Sequence, residues 1–529
     1  MIGKLVVMMV VVTAVVTAVV AMAAARRAWR AWLTLSACCA VLAGCGGAAA
    51  PGEAGATDEQ ALDRQLAAVL EQQQFTGTIE QQLEQRLGRR IDPALADLGR
   101  LLFFDRVGSL HNDNACAGCH SPAHSFGDSQ SIAIGIQSNL LVGPHRQGPR
   151  NQRRSPSVVN TAFYPNLMWN GRFFAPSGNP FDASLGFSFP APEGHTRFGP
   201  NDPLVRHLLI AQAFMPPTEL NEAAGFTGIS DGIDPRYFQF DDGKGERCPQ
   251  RDAGGFRNEP IREQVEKRLN AAPAYITRFG AVFPAVRAGA PIDMTMFARA
   301  IAEFEFSLTS ANAPIDRFAR GDTAAMTAAE KRGALLFFGK ANCVACHAVA
   351  GPSNQMFSDF NMHNIGVPQI APAFGVGLGN TIFDGPAENE DYGLEQISGL
   401  AADRYRFRTS PLRNVALQPA FFHNGAFTRL DEAIGHHLDV LASLDAYDAV
   451  RAGVAADLAG RTAPVAKVKA NIDSLLREPV RLTAAERTDL LRFVRDSTFD
   501  ERMAPRRTCG LVPAVLPSGA APLRFEGCP

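Results

Sequence analysis

The chain has 529 residues, with 51 Lys and Arg against 53 Asp and Glu and a net charge of -2. That balance excludes a broad basic nucleic-acid surface, and the length suffices for two or three domains with a sizeable core. The 47 glycines and 35 prolines predict long ordered loops between helices.

The first residues read as a targeting region. Arg26, Arg27 and Arg30 precede an apolar run from Ala31 to Ala43, closed by Leu42-Ala43-Gly44-Cys45. Residues 1–45 thus resemble a lipoprotein-type signal region, which makes Cys45 the lipidated first residue of an exported, periplasmic, membrane-anchored chain. The earlier apolar stretch from Leu5 to Ala25 has two readings. It is a membrane span, or it belongs to an over-extended start whose true beginning, Met22, gives a signal of normal length. Residues 46–60 read as a flexible tether.

Helical periodicity then appears over Ala61–Gln73, Ile261–Leu269, Met294–Leu308 and Ala328–Phe338. Strand signals are sparse, so the predicted class is mainly α with long loops. Thr327 and Glu330 form a capping-box pattern after the stretch Asn312–Asp322, where a domain boundary is expected. Residues 61–312 then form the first half and 313–529 the second, with a Gly-, Asp- and Arg-rich insertion at 225–258.

Each half carries one CxxCH pentapeptide, Cys116-Ala117-Gly118-Cys119-His120 and Cys343-Val344-Ala345-Cys346-His347. Two thiols one helical turn apart can form thioethers to the vinyl groups of one haem, and the following histidine then sits beneath the iron. A lone CxxC also suits a zinc half-site or a redox dithiol. Neither needs a histidine directly after the second cysteine, and no second CxxC lies near either copy. Two covalently bound c-type haems are the expected cofactors. An internal repeat supports this: Leu101 to Phe104 and Leu335 to Phe338 place Leu-Leu-Phe-Phe just before each motif. Of ten cysteines, Cys38 and Cys39 lie in the signal region, Cys45 is the lipid site and four bind haem. Export permits a disulfide among the other three. Cys509 with Cys528 is the expected pair, leaving Cys248 without a role.

Residues 97–175 and 326–437 resemble the bacterial di-haem cytochrome c peroxidase family, including its MauG-like branch. The resemblance is carried in order by LGRLLFFD at 98–105, RRSPSVVN at 153–160, MWNGR at 168–172, FSDFNMHNIGVP at 357–368, RFRTSPLRNVAL at 406–417 and FFHNG at 421–425. It implies two cytochrome c-like haem domains in tandem, an N-terminal peroxidatic one and a C-terminal electron-transfer one. It implies that Trp169, the only tryptophan outside the signal region, relays electrons between the haems. It puts His437 where the family has a distal methionine or tyrosine, so His347 and His437 would both ligate the second iron. Histidine in place of methionine lowers a haem's potential. Ile136 stands where typical members carry a histidine that blocks the first iron, which leaves the His120-ligated haem open to peroxide. His124 and His145 are the histidines that could replace it after a loop shift. Glu222 matches the family's acid–base glutamate, with Glu219 the alternative. Family members also bind calcium between the domains, partly through an asparagine. Arg154 replaces that asparagine, and carbonyls near Gln418 and Ala420 could still serve as ligands; an arginine there argues against a cation, so calcium is a possible rather than an expected cofactor. The implied activity is reduction of hydrogen peroxide with electrons from a donor such as a small cytochrome c, in a homodimer. A MauG-like oxidase that modifies a protein substrate, and a non-catalytic electron carrier, are the alternatives.

Overall fold

The computed structural model describes residues 58–373 and 383–529. The signal region, Cys45 and residues 46–57 of the expected tether lie outside the described residues. The principal helices are α1 (Asp58–Gln72), α2 (Pro93–Phe104), α3 (Asn258–Ala271), α4 (Met294–Ser307), α5 (Ala328–Phe338), α6 (Leu430–Leu438) and α7 (Ala484–Arg492). Four of them match the predicted periodic segments, and α1 begins three residues before the expected Ala61. Among the described residues, helices dominate and the strands are three two-residue pairs: β1 (Leu141–Val142) with β6 (Arg524–Phe525), β2 (Asn166–Leu167) with β3 (Phe173–Phe174), and β4 (Met362–His363) with β5 (Phe407–Arg408).

Local chemistry fixes the two helices that lead into the pentapeptides. Asp92 accepts hydrogen bonds from the Ala94 and Leu95 amides, and Pro93 fills the first turn of α2 where no amide donor is needed. Thr327 and Glu330 close the predicted capping box of α5.

The sequence repeat is also a packing repeat. Helix α2 crosses α4 at Gly99, where an added Cβ would lie 1.8 Å from the Ala300 carbonyl oxygen. Helix α5 crosses α7 at Gly333, where the Cβ would lie 2.0 Å from the Asp489 carbonyl oxygen. Four residues on, Phe103 packs on Phe304 and Phe337 on Phe493, each pair with ring centroids 5.2 Å apart. The same phenylalanines reach the histidine of each pentapeptide, at 6.3 Å for Phe103–His120 and 6.4 Å for Phe337–His347. Close backbone approach therefore lets one aromatic wall form against each CxxCH. The first helix pair sits in the largest hydrophobic core, and the second sits in a separate one that also takes Leu66 and Leu70 from α1.

The C-terminal tail returns to the first half. The β1–β6 pairing is parallel, Phe525 packs on Phe104 at 5.7 Å, and Thr508 donates to the Pro122 carbonyl. The expected Cys509–Cys528 disulfide is present and closes this strap. Cys248 is a buried free thiol. Asp58–Pro529 forms one compact unit. No described helix is long and apolar enough to cross a membrane.

Candidate functional site: two histidine-lined cavities and the residues between them

The first pentapeptide folds as a helical turn, Cys116–Cys119, and Cys116, Cys119 and His120 line one cavity of about 890 Å³. His120 Nδ1 lies 3.0 Å from the Pro156 carbonyl oxygen and 3.3 Å from that of Phe126. A carbonyl only accepts, so Nδ1 carries the hydrogen and Nε2 keeps its lone pair for a metal. Burial lowers His120 to about 4, so the ring is neutral, as a ligand must be. Burial pushes the Cys116 and Cys119 thiols up to about 12, so both are neutral without a bound group.

The second pentapeptide, His347 included, lines a smaller cavity of about 260 Å³ together with His437. His347 Nδ1 donates to the Phe357 carbonyl at 2.9 Å. His437 Nδ1 donates to the Ala433 carbonyl, one turn earlier on α6, also at 2.9 Å. Both Nε2 atoms keep their lone pairs, and the ring centroids are 6.1 Å apart. Two metal–imidazole bonds of about 2 Å, plus roughly 1.1 Å from each nitrogen to its ring centre, come to about 6 Å. The pair therefore fits a single iron between two imidazoles. The neighbouring His436 is committed elsewhere, to the Ile365 carbonyl and the Ser443 hydroxyl, both at 2.9 Å.

Glu222 and Glu219 both line the first cavity. Glu222 sits in a π-helical turn, Leu220–Ala224, a local widening of the helix that often marks functional sites. Burial and the neighbouring Glu219 push its carboxyl up to about 7, against the pull of Arg172. Arg172 lies 3.8 Å from Glu219. Neither His124 nor His145 lines this cavity. His145 is held at the surface by Glu526 at 2.8 Å, on the returning tail. Ile136 is fully buried, and its amide donates to the Asn221 carbonyl at 3.3 Å. The loop that carries a blocking histidine in typical family members is thus packed by its backbone against the Glu222 segment.

Trp169 lines both cavities, as do Tyr164, Arg154 and Arg408. The indole Nε1 donates to the Arg154 carbonyl at 2.8 Å, and the Trp169 carbonyl accepts from the Arg408 amide at 2.7 Å. Both faces of this junction are therefore fixed by backbone.

Several residues escaped the sequence reading. Glu305, on α4, is a buried acid at the first cavity that burial pushes up to about 8. Its signal was a carboxylate inside the apolar stripe Phe304-Glu305-Phe306. The 225–258 insertion supplies Phe226, Ile233 and Tyr237 to the wall of the first cavity, which no local pattern announced. Near the second motif, Asp359 and Asp473 hold His363 at 3.0 and 2.7 Å. Cys346, Asp359 and His363 cluster closely enough to suggest a metal, but the thioether expected of this pentapeptide would remove the sulfur donor and leave only two.

The calcium implied by the family resemblance does not fit. The Arg154 guanidinium takes the oxygens that would hold it, donating to the Ala420 carbonyl, to Gln418 Oε1 at 3.0 Å and to the Asp128 carbonyl at 3.2 Å.

Residues 93–324 match the family model described as di-haem cytochrome c peroxidase. The methylamine utilization protein MauG of Methylorubrum extorquens is 27% identical over 351 residues, covering 66% of this chain and 69% of that one. The cytochrome-c peroxidase IdrP1 of Denitromonas iodatirespirans is 27% identical over 428 residues, covering 78% and 84%. The solved structure of a MauG-like protein associated with microbial copper homeostasis shares the fold, with a TM-score of 0.50 at 22% identity over 78% of this chain and 92% of that one.

Proposed function

The chain belongs to the di-haem cytochrome c peroxidase family through residues 93–324, and from that premise we propose that it reduces hydrogen peroxide at its first cavity with electrons passed through its second. It is an oxidoreductase with two haem sites built as tandem cytochrome c-like domains. Cys116, Cys119 and His120 hold one haem covalently, and Cys343, Cys346, His347 and His437 hold the other. When bound, the haems supply one-electron redox chemistry at iron.

The chain's own residues do the rest. Glu222 accepts a proton from the near oxygen of peroxide and returns it to the departing one. Its raised acidity midpoint suits both directions of transfer near neutral pH. Arg172 balances the paired charge of Glu219 and Glu222. Trp169 carries electrons between the two cavities. Each peroxide takes two electrons and two protons and yields two waters. A small cytochrome c donates the electrons. The protein is periplasmic, anchored through lipid on Cys45, and pairs as a homodimer.

One observation carries this reading: Trp169 lines both cavities, and Glu222 lines the one that holds a single histidine. The test is steady-state peroxide reduction by the two-haem protein with reduced cytochrome c, comparing wild type with Glu222→Gln and Trp169→Phe. Loss of turnover in both variants with both haems retained supports it. Unchanged turnover in either removes that residue's role.

A second reading has its own support. Because His120 is the only histidine among the described residues that line the first cavity, peroxide has access without prior reduction, which also suits an oxidase that modifies a protein side chain. Rapid turnover with reduced cytochrome c counts against that reading.

A further inference from the structure

The site between the cavities is built around an organic cation. Arg154 is 3% exposed. Its side-chain acceptors come from both halves of the chain. Asp128 follows the first pentapeptide, while Gln418 and Ala420 belong to the segment before Phe421 and Phe422. Gln418 is pinned in turn, its Nε2 donating to the His124 carbonyl at 2.8 Å. The Arg154 amide donates to the His423 carbonyl at 2.8 Å, so the backbone also ties the halves together. On its other side the Arg154 carbonyl accepts from the Trp169 indole. Burial lowers the Arg154 guanidinium to about 10 and the Asp128 carboxylate opposes that fall, so the group stays charged near neutral pH; the Asp128 oxygens accept from the Ser155 and Gln130 amides at 2.9 and 3.0 Å.

These oxygens form the kind of cage that suits a hard cation: two carbonyls and one amide oxygen converging from separate segments. A guanidinium satisfies them by donating hydrogen bonds in a fixed planar fork, and it does not dissociate. We propose that Arg154 is a permanent internal cation that replaces calcium at the junction of the two halves and positions Trp169 between the cavities. It is a positioning residue. It acts through the indole that hydrogen-bonds its carbonyl. The proposal rests on the di-haem reading only for its electron-transfer consequence. The cation replacement stands on the hydrogen bonds alone.

The experiment uses the full two-haem protein and two readouts that do not need peroxide turnover. Metal analysis and thermal melting are run with and without EDTA, and inter-haem electron transfer is followed by stopped flow in half-reduced protein. Wild type is expected to hold no stoichiometric calcium, and its melting temperature is expected to stay fixed with EDTA or millimolar calcium chloride. In Arg154→Asn the inter-haem rate is expected to fall by about tenfold or more, as misplacement of a relay does. The emptied cage is expected to bind calcium, which recovers melting temperature and rate together. Should Arg154→Asn fail to fold, Arg154→Lys keeps the charge without the fork and carries the same two readouts, with a smaller drop in rate and no calcium response. Stoichiometric calcium in wild type, an EDTA-sensitive melting temperature, or an unchanged inter-haem rate in the variant that folds overturns the proposal. If EDTA leaves wild type unmoved but no peroxide is reduced, the functional reading fails and the cation replacement survives.

Discussion

Replacing Glu222 with glutamine removes one titratable group from the first cavity while keeping the side chain's size. In wild type the carboxyl is pushed up to about 7, chiefly by burial and next by Glu219, while Arg172 pulls it down. Only the ionised form accepts a proton from peroxide. The second-order rate constant for peroxide should therefore rise by about tenfold per pH unit on the acid side and level off above about 7. Glutamine offers no base, so Glu222→Gln should lose about a hundredfold to ten-thousandfold, the range for one positioned acid–base group. The acid limb should vanish with it. The neighbours give the sign. Glu219→Gln removes a like charge and should move the midpoint to lower pH. Arg172→Gln removes the opposing charge and should move it higher. The assay is stopped-flow reaction of the oxidised two-haem protein with peroxide from pH 5 to 9. A Glu222→Gln protein that keeps its acid limb and reacts within about threefold of wild type would refute the assignment.

Four further outcomes follow from particular contacts. His437→Met should raise the potential of the second haem by on the order of 100 mV, within the roughly 0.8 V that axial ligands span, measured by redox titration. Glu305 is neutral in the folded protein up to about 8, while an unfolded glutamate ionises near its model value of 4.5. Between those limits the unfolded state binds fewer protons, so stability falls as pH rises. Glu305→Gln should flatten that slope in denaturant titrations, and a slope unchanged by the substitution would contradict the buried-acid account. Cys509→Ser opens a disulfide with a sequence separation of 19. It should cost about 3 kcal/mol in chemical denaturation through loop entropy, with first-haem spectra intact. Gly333→Ala drives a Cβ into the Asp489 carbonyl oxygen. It should lower the melting temperature and disturb the second haem more than the first.

Much of this architecture is local and was legible in the sequence. The α5 capping box, the apolar stripe of α4 and the spacing of each CxxCH are set within a few residues, so pattern alone located them. The repeat was visible as Leu-Leu-Phe-Phe, although its cause, a glycine crossing against Ala300 of α4 or Asp489 of α7, depends on segments far along the chain. His437 was reachable only by likeness to relatives, because an adjacent His436 looks the same in sequence. The fold separates them by turning His436 toward Ile365 and Ser443. Arg154 was visible as a departure, but its three acceptors lie in distant segments and became evident only in the folded chain. The same holds for the tail. Nothing in residues 505–529 beyond two cysteines indicates that it straps the first half.

The most direct test is low-temperature EPR of the oxidised two-haem protein. One high-spin ferric haem is expected at the His120 site, whose cavity has no second histidine among the described residues, and one low-spin haem between His347 and His437. Two low-spin haems would mean that a side chain such as His124 or His145 leaves its observed position to cap the first iron, and would contradict the open first site.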